Sequence, residues 1–152
     1  MTLTIGTVML RLFTAMTAGG ILGWGRSRKN RAAGFRTYTL TATGAALAAL
    51  LGIYEYSMLS SGWAQVVSEV GLKLDVSRYS ASVIGGIGFL AAGTILSAAH
   101  QQVSGLSTAI GLFSTAVIGL AAGMGFYTAA FLSVILLLVV LDAFATVEPG
   151  FK

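Results

Sequence analysis

Cysteine is absent from the 152-residue sequence, and proline occurs once, at Pro149. The lack of cysteine excludes a disulfide framework, a thiolate metal site and a cysteine nucleophile. Charged residues are also scarce, at 9% of the chain, whereas a soluble domain has about 25%. Five acidic and nine basic side chains cannot cover the surface of a water-soluble globule, so a soluble enzyme is excluded.

Hydrophobic residues, in contrast, make up 56% of the chain and fall in five long runs. Runs of this length cross about 30 Å of hydrocarbon as helices, which pair their own backbone groups. The predicted spans are about 3–24, 35–54, 79–99, 106–123 and 126–145. The sequence therefore predicts an all-α fold, an integral membrane bundle of five transmembrane helices in one domain over 1–148. A short cytoplasmic tail, 149–152, follows.

A short segment between the second and third spans carries apolar side chains at helical spacing. They follow Trp63 and are Val66, Val67, Val70 and Leu74. This pattern predicts an amphipathic helix along the membrane interface, with Trp63 as its anchor. A connecting helix packed on the bundle would produce the same pattern.

Five of the nine basic residues lie in one stretch after the first span, at Arg26, Arg28, Lys29, Arg31 and Arg36. The positive-inside rule places this basic loop in the cytoplasm, with the N-terminus outside and the C-terminus inside. The loop also attracts anionic lipid of the inner leaflet. Orientation alone explains the cluster, so no nucleic-acid partner is predicted.

Glycine is abundant, with twenty residues, and several lie within the predicted spans. Small residues let membrane helices approach closely, so we interpret these glycines as packing positions within the chain. A homodimer seam is the alternative. The packing set is Gly19, Gly23, Gly85, Gly86, Gly88, Gly93, Gly119 and Gly123. The bulky fifth span is expected to face lipid, around a core of the first four.

Arg11 interrupts the first span, and an intramembrane arginine faces the bundle or snorkels to an interface. We hypothesise that it pairs with Asp75 or Glu55, forming an outer polar cluster with Arg78. Snorkelling is the alternative. A single carboxylate is too little for magnesium, so no metal site is predicted. No catalytic set or cofactor site is apparent either, which predicts a protein that is not an enzyme.

Several strings, in this order and spacing, resemble the membrane domain of the MgtC/SapB family over about residues 8–145. They include Val103 to Ala109, and the most specific part is Gly86-Ile87-Gly88-Phe89-Leu90-Ala91-Ala92-Gly93 following Asp75-Val76-Ser77-Arg78. The resemblance implies a bacterial inner-membrane protein with five helices, linked to growth in low magnesium and to survival inside host cells. The best-known member resembles a regulator that restrains the F-type ATP synthase. Gly25, Ser82 and Phe113 depart from the family pattern.

These observations predict a regulator that contacts another membrane protein through its helices. The alternative is a small transporter or channel for magnesium or another cation. For a pore, the polar residues Arg11 and Asp142 lie toward opposite sides of the membrane, with mostly small side chains between them.

Overall fold

The computed structural model describes residues 3–71, 75–96 and 105–147, which form six α-helices. They are α1 (Ile5–Arg28), α2 (Phe35–Ser61), α3 (Ala64–Val70), α4 (Ser77–Leu96), α5 (Leu106–Met124) and α6 (Tyr127–Val147). These ranges contain no strand, so the all-α prediction is confirmed for them. The predicted tail at 149–152 lies outside the described residues.

Each predicted span overlaps a helix in the described residues, and α1 and α2 continue well beyond the apolar runs that predicted them. α1 continues to Arg28 and α2 to Ser61. Arg26 and Arg28 occupy the last turn of α1, where positive charge is favourable at a helix C-terminus. Charge therefore ends the hydrophobic run of α1 without ending the helix.

Within the described residues, three helices, α1, α2 and α5, are long and apolar enough to cross a membrane. In α6 the apolar stretch with described side chains, Tyr127–Leu141, is shorter. The described residues thus support a membrane-embedded helical bundle. That the chain crosses the membrane five times stays a prediction.

The core of the bundle is the contact of α1, α2 and α5, and it is built largely from alanine. α4 lies against α5 and α2, and α6 lies against α5 and α1. Among its described side chains, α4 buries only Ile87. Three of the four spans predicted to form the core therefore supply most of it. The expectation that α6 faces lipid is wrong at Ala130 and Val134, which are buried in this core. The buried positions include Ala15, Ala18, Leu22, Tyr38, Ala42, Ala46, Leu112 and Ala116.

The short helix α3 is at the predicted place and buries none of its residues. Its apolar side chains Val66 and Val70 are 48% and 72% exposed, and the preceding Trp63 is 57% exposed. A connecting helix packed on the bundle would bury these side chains, so this alternative disagrees with the described residues. The position at the membrane interface stays a prediction, and Leu74 lies outside the described residues.

A tight turn joins α5 to α6 at Gly125 and reverses the chain. The Gly125 amide donates to the Ala122 carbonyl at 3.0 Å, and the Phe126 amide donates to the Ala121 carbonyl at 2.8 Å. This pair of bonds is a Schellman motif, which needs a left-handed residue. Gly125 supplies it with a φ of 86°. α6 therefore runs antiparallel to α5, and backbone amides of the turn satisfy the Ala121 and Ala122 carbonyls at the C-terminal end of α5.

Candidate functional site

Arg11 lies inside the bundle, with 1% of its surface exposed. Its Nη1 donates a 2.9 Å hydrogen bond to the carbonyl oxygen of Gly123, in the last turn of α5. The last carbonyls of a helix carry a partial negative charge, so they suit a buried guanidinium. The Arg11 Nε is buried and has no hydrogen-bond partner. Arg11 thus faces the bundle, as one of the two alternatives expected, and caps the end of α5.

The predicted pairing of Arg11 with Asp75 or Glu55 is not formed among the described residues. The carboxylate of Glu55 lies near the Tyr79 hydroxyl instead. Asp75 has a 52% exposed side chain and lies 3.9 Å from the Nε of Arg78. The physical reason is that α1 packs against α5, where a helix end supplies the acceptor, while both carboxylates are on the surface. The outer polar cluster therefore separates into a buried arginine and an exposed group.

Asp75 holds the first turn of α4. Its Oδ1 accepts hydrogen bonds from the Ser77 hydroxyl at 2.5 Å and the Ser77 amide at 3.0 Å. These bonds, with the nearby charge of Arg78, hold the pKa of Asp75 below its ordinary value of 3.8. The group acts as a cap for the helix that follows.

The capping by Asp75 predicts a pH dependence at the start of α4. A carboxylate whose folded pKa is depressed contributes stability above its ordinary pKa, and that stability is lost as the pH falls through the folded value. We expect the protection of the Ser77 amide, measured by hydrogen exchange and corrected for the intrinsic rate, to fall below pH 3.8. The variant Asp75→Asn keeps an oxygen acceptor but cannot titrate, so its Ser77 amide should show little pH dependence over the same range. Equal protection of the wild-type amide above and below this range would contradict the capping role.

The opposite end of α5 meets a second buried arginine, Arg26, which is 8% exposed. Its Nη2 donates to the Thr108 hydroxyl at 2.5 Å, and its Nε donates to the Ala33 carbonyl at 3.3 Å. The guanidinium carbon also lies 5.4 Å from the ring centroid of Tyr38, within range of a cation–π interaction. Arg26 is therefore a structural residue of the bundle and not a solvated member of the basic loop.

Sequence reasoning missed Tyr38 and Thr108 as partners of Arg26. Tyr38 is fully buried, and its hydroxyl has no hydrogen-bond partner. Nothing in the local sequence marks either residue. The one signal for these partners is Arg26 itself, at the end of an apolar helix, because a buried arginine needs hydrogen-bond acceptors or an aromatic ring nearby.

The other basic positions occupy the surface at this end of the bundle. Arg28 ends α1, Arg31 lies in the connection between α1 and α2, and Arg36 lies in the first turn of α2, all exposed. Lys29 is exposed and caps the C-terminus of α1. This surface is available to lipid headgroups.

The predicted packing glycines divide into two groups. At Gly19, a Cβ would lie 2.9 Å from the Ala42 Cβ. At Gly23, it would lie 2.7 Å from the Phe35 Cα. At Gly119 and Gly123 it would lie 2.8 Å and 2.7 Å from the Cα atoms of Ala42 and Ala46. These four positions join α1, α2 and α5 by direct backbone contact, which only glycine permits.

The glycines of α4 behave differently from those of α1 and α5. A Cβ at Gly85, Gly86, Gly88 or Gly93 would meet nothing within 4 Å among the described residues. The reason is that α4 turns Ile87 toward the bundle, so the adjacent glycines lie off the buried face. These four glycines do not pack helices together in the described chain.

No group of three or more histidine, cysteine, aspartate or glutamate side chains in the described ranges could hold a metal ion. The charged residues of the described interior are Arg11 and Arg26, which contact opposite ends of α5. The fold and these contacts define a helical membrane protein whose first helix is fixed to a later helix by two buried arginines.

A model of the MgtC family matches residues 12–149, and the chain belongs to that family. The match confirms the resemblance found in the sequence. The chain is 36% identical over 136 residues to the putative magnesium transporter YhiD of Escherichia coli K12, covering 90% of this chain and 60% of that protein. No solved structure matches the chain.

Two further relatives have a similar sequence identity to the chain. Protein SapB of Bacillus subtilis is 30% identical over 132 residues, or 87% of this chain and 54% of SapB. Protein MgtC of Salmonella typhimurium LT2 is 35% identical over 130 residues, or 86% of this chain and 49% of MgtC. The chain thus spans about half to three fifths of the length of these relatives.

Proposed function

We propose that this chain is a non-enzymatic regulator of the bacterial inner membrane, which acts by helix contact with another membrane protein. One observation supports it most directly: α4 leaves a glycine-rich face open while the central helices are closed against each other. In lipid, small residues are what allow a partner helix to approach.

The open face of α4 combines small and large side chains. Gly85, Gly86 and Gly88 have free space above them. Phe89 is 81% exposed beside them, and Leu90 is exposed too. A transmembrane helix with a protruding ridge would fit such a notched surface, because van der Waals packing drives helix association in lipid.

The closed seam of α1, α2 and α5 favours a regulator over a conduit. A single methyl group at Gly119 or Gly123 would meet the α2 backbone, so no ion passes between these helices without separating them. The buried arginines add positive charge to the interior, which opposes the passage of a cation.

The partner and the orientation are also part of the proposal. The resemblance implies the F-type ATP synthase as the partner and low-magnesium adaptation and virulence as the setting. The basic loop supports a cytoplasmic connection between α1 and α2, with the N-terminus outside and the C-terminus inside.

Co-reconstitution with an F-type ATP synthase tests the proposal. We expect the wild-type chain to lower ATP-driven proton pumping in vesicles. The double variant Gly85→Leu/Gly88→Leu should weaken this effect about tenfold, because an overpacked contact costs ~1–3 kcal/mol. Gly44→Leu is the matched control, since Gly44 is an exposed glycine of α2 and a Cβ added there would have no neighbouring atom within 4 Å. Equal inhibition by the two variants would contradict a contact through α4.

A cation transporter or channel is the second candidate, favoured by the name of the relative YhiD, a putative magnesium transporter. Proteoliposomes containing only this chain distinguish it from a regulator. Magnesium or proton flux well above that of empty vesicles, lost in Asp75→Asn, would overturn the regulatory proposal. Absence of flux from folded protein would support it.

A further inference from the structure

A groove of about 340 Å³ lies between α1 and α6, on the surface of the bundle. Leu10, Thr14, Thr17 and Ile21 of α1 form one wall, and Ala130 and Phe131 of α6 contribute to the other. From Leu10 to Ile21 a helix rises about 16 Å. The groove is therefore long, narrow and aligned with the helices.

The lining of the groove, which also includes Tyr127, is almost entirely apolar. The Thr14 hydroxyl donates to the Leu10 carbonyl at 2.7 Å, and the Thr17 hydroxyl donates to the Thr14 carbonyl at 2.9 Å. Both threonines thus present their methyl groups to the groove. An apolar occupant fits this surface, and a polar one would lose its hydrogen bonds to water.

The groove is too small for a whole helix. A helix about 10 Å across laid along 16 Å would need on the order of 1,300 Å³. All the empty space in the groove, open solvent included, is about 790 Å³, so a single hydrocarbon chain fits it better.

The face of α1 that lines the groove continues to a basic end. Trp24 follows Ile21 at the next helical repeat, and Arg28 lies eighteen residues after Leu10, which is five full turns. Arg28 is exposed, and Trp24 is 60% exposed with its ring against Phe35 at a centroid distance of 6.0 Å. One helix face thus carries an apolar groove, then a tryptophan, then a cation. Tryptophan prefers the headgroup level of a membrane, and arginine pairs with phosphate.

We propose that this face is a binding site for one anionic phospholipid of the leaflet next to the basic loop. An acyl chain occupies the α1/α6 groove, the glycerol region lies beside Trp24, and the phosphate pairs with Arg28. The site is separate from the α4 face of the proposed function. It also differs from general attraction to a basic loop, since it needs the groove as well as the charge.

Quenching of Trp24 by brominated lipid measures occupancy of the site. The variant Trp63→Phe leaves Trp24 as the sole tryptophan, since the chain has two. In phosphatidylcholine vesicles with a minor fraction of brominated phosphatidylglycerol, we expect stronger quenching than with the same fraction of brominated phosphatidylcholine. In this background Arg28→Gln should reduce the preference about fivefold, the factor for ~1 kcal/mol per basic residue near a membrane surface.

Two controls separate this site from its alternatives. Arg36→Gln removes an equally exposed charge of the same loop outside the α1/α6 face, and it should leave most of the preference intact. Thr17→Phe fills the groove without changing any charge and should abolish the preference. Thr128→Phe is its control, because Thr128 is exposed on α6 and does not line the groove.

The results that would overturn the proposal are specific. Equal losses in Arg28→Gln and Arg36→Gln would indicate loop electrostatics only. An unchanged lipid preference in Thr17→Phe, with or without a changed oligomeric state, would show that the groove holds no lipid chain and is open to a protein contact instead. Size-exclusion chromatography confirms that each variant is folded before its preference is compared.

Discussion

Replacing Gly119 with alanine should separate α2 from α5 and destabilise the bundle by about 1–3 kcal/mol, the usual cost of overpacking. The added Cβ would lie 2.8 Å from the Ala42 Cα and closer still to the Ala42 carbonyl oxygen. These are backbone atoms, so the contact cannot be relieved by turning a side chain. Thermal unfolding in detergent micelles, followed by circular dichroism or light scattering, measures the effect.

The control for Gly119→Ala is Gly44→Ala, which makes the same chemical change on α2. Nothing lies within 4 Å of a Cβ at Gly44, and alanine is about 1 kcal/mol better than glycine inside a helix. We expect this variant to be equal to or more stable than the wild type. A Gly119→Ala protein as stable as Gly44→Ala would show that the α2/α5 contact is looser than the structure indicates.

Replacing Arg11 with alanine is expected to have the second large effect, a loss of about 2–5 kcal/mol from the cavity alone. The change also removes the hydrogen bond to the Gly123 carbonyl, and a buried group without a partner costs about 1–3 kcal/mol. Folded yield and thermal unfolding would both fall. Arg36→Ala, at an exposed arginine, should change neither by a comparable amount.

The variant Arg11→Met distinguishes the two parts of this effect. Methionine fills most of the space without the hydrogen bond, so its cost should be limited to that of the unpaired carbonyl. A methionine variant as unstable as the alanine variant would indicate that the hydrogen bond to Gly123, and not the packing, is the main contribution of Arg11.

Gly19, Gly23, Gly119 and Gly123 belong to the packing set predicted from the sequence, and each lies against the backbone of α2. Close contact between helix backbones requires glycine whatever the partner helix is. The α4 glycines have the same residue type and lie in a similar apolar context, but they are open in the described chain. Sequence periodicity shows that one face of a helix carries small side chains. It does not show which helix faces contact each other in the bundle.

The hydrogen-bond acceptor of Arg11 could not be predicted from the sequence for a related reason. Reasoning from side chains looks for a carboxylate, and Asp75 and Glu55 were the nearest ones by topology. The acceptor is a main-chain carbonyl at the end of α5, and every helix has such carbonyls. No residue type marks the helix end that a distant arginine will meet.

The bond between Arg11 and Gly123 has a consequence for the order in which the protein is made. The two residues are 112 positions apart, so at about 5–20 residues per second the acceptor is synthesised some 6–22 s after the arginine. During that interval the first helix carries a guanidinium without its final partner. This contact of the first helix can therefore form only after α5 has been synthesised and inserted.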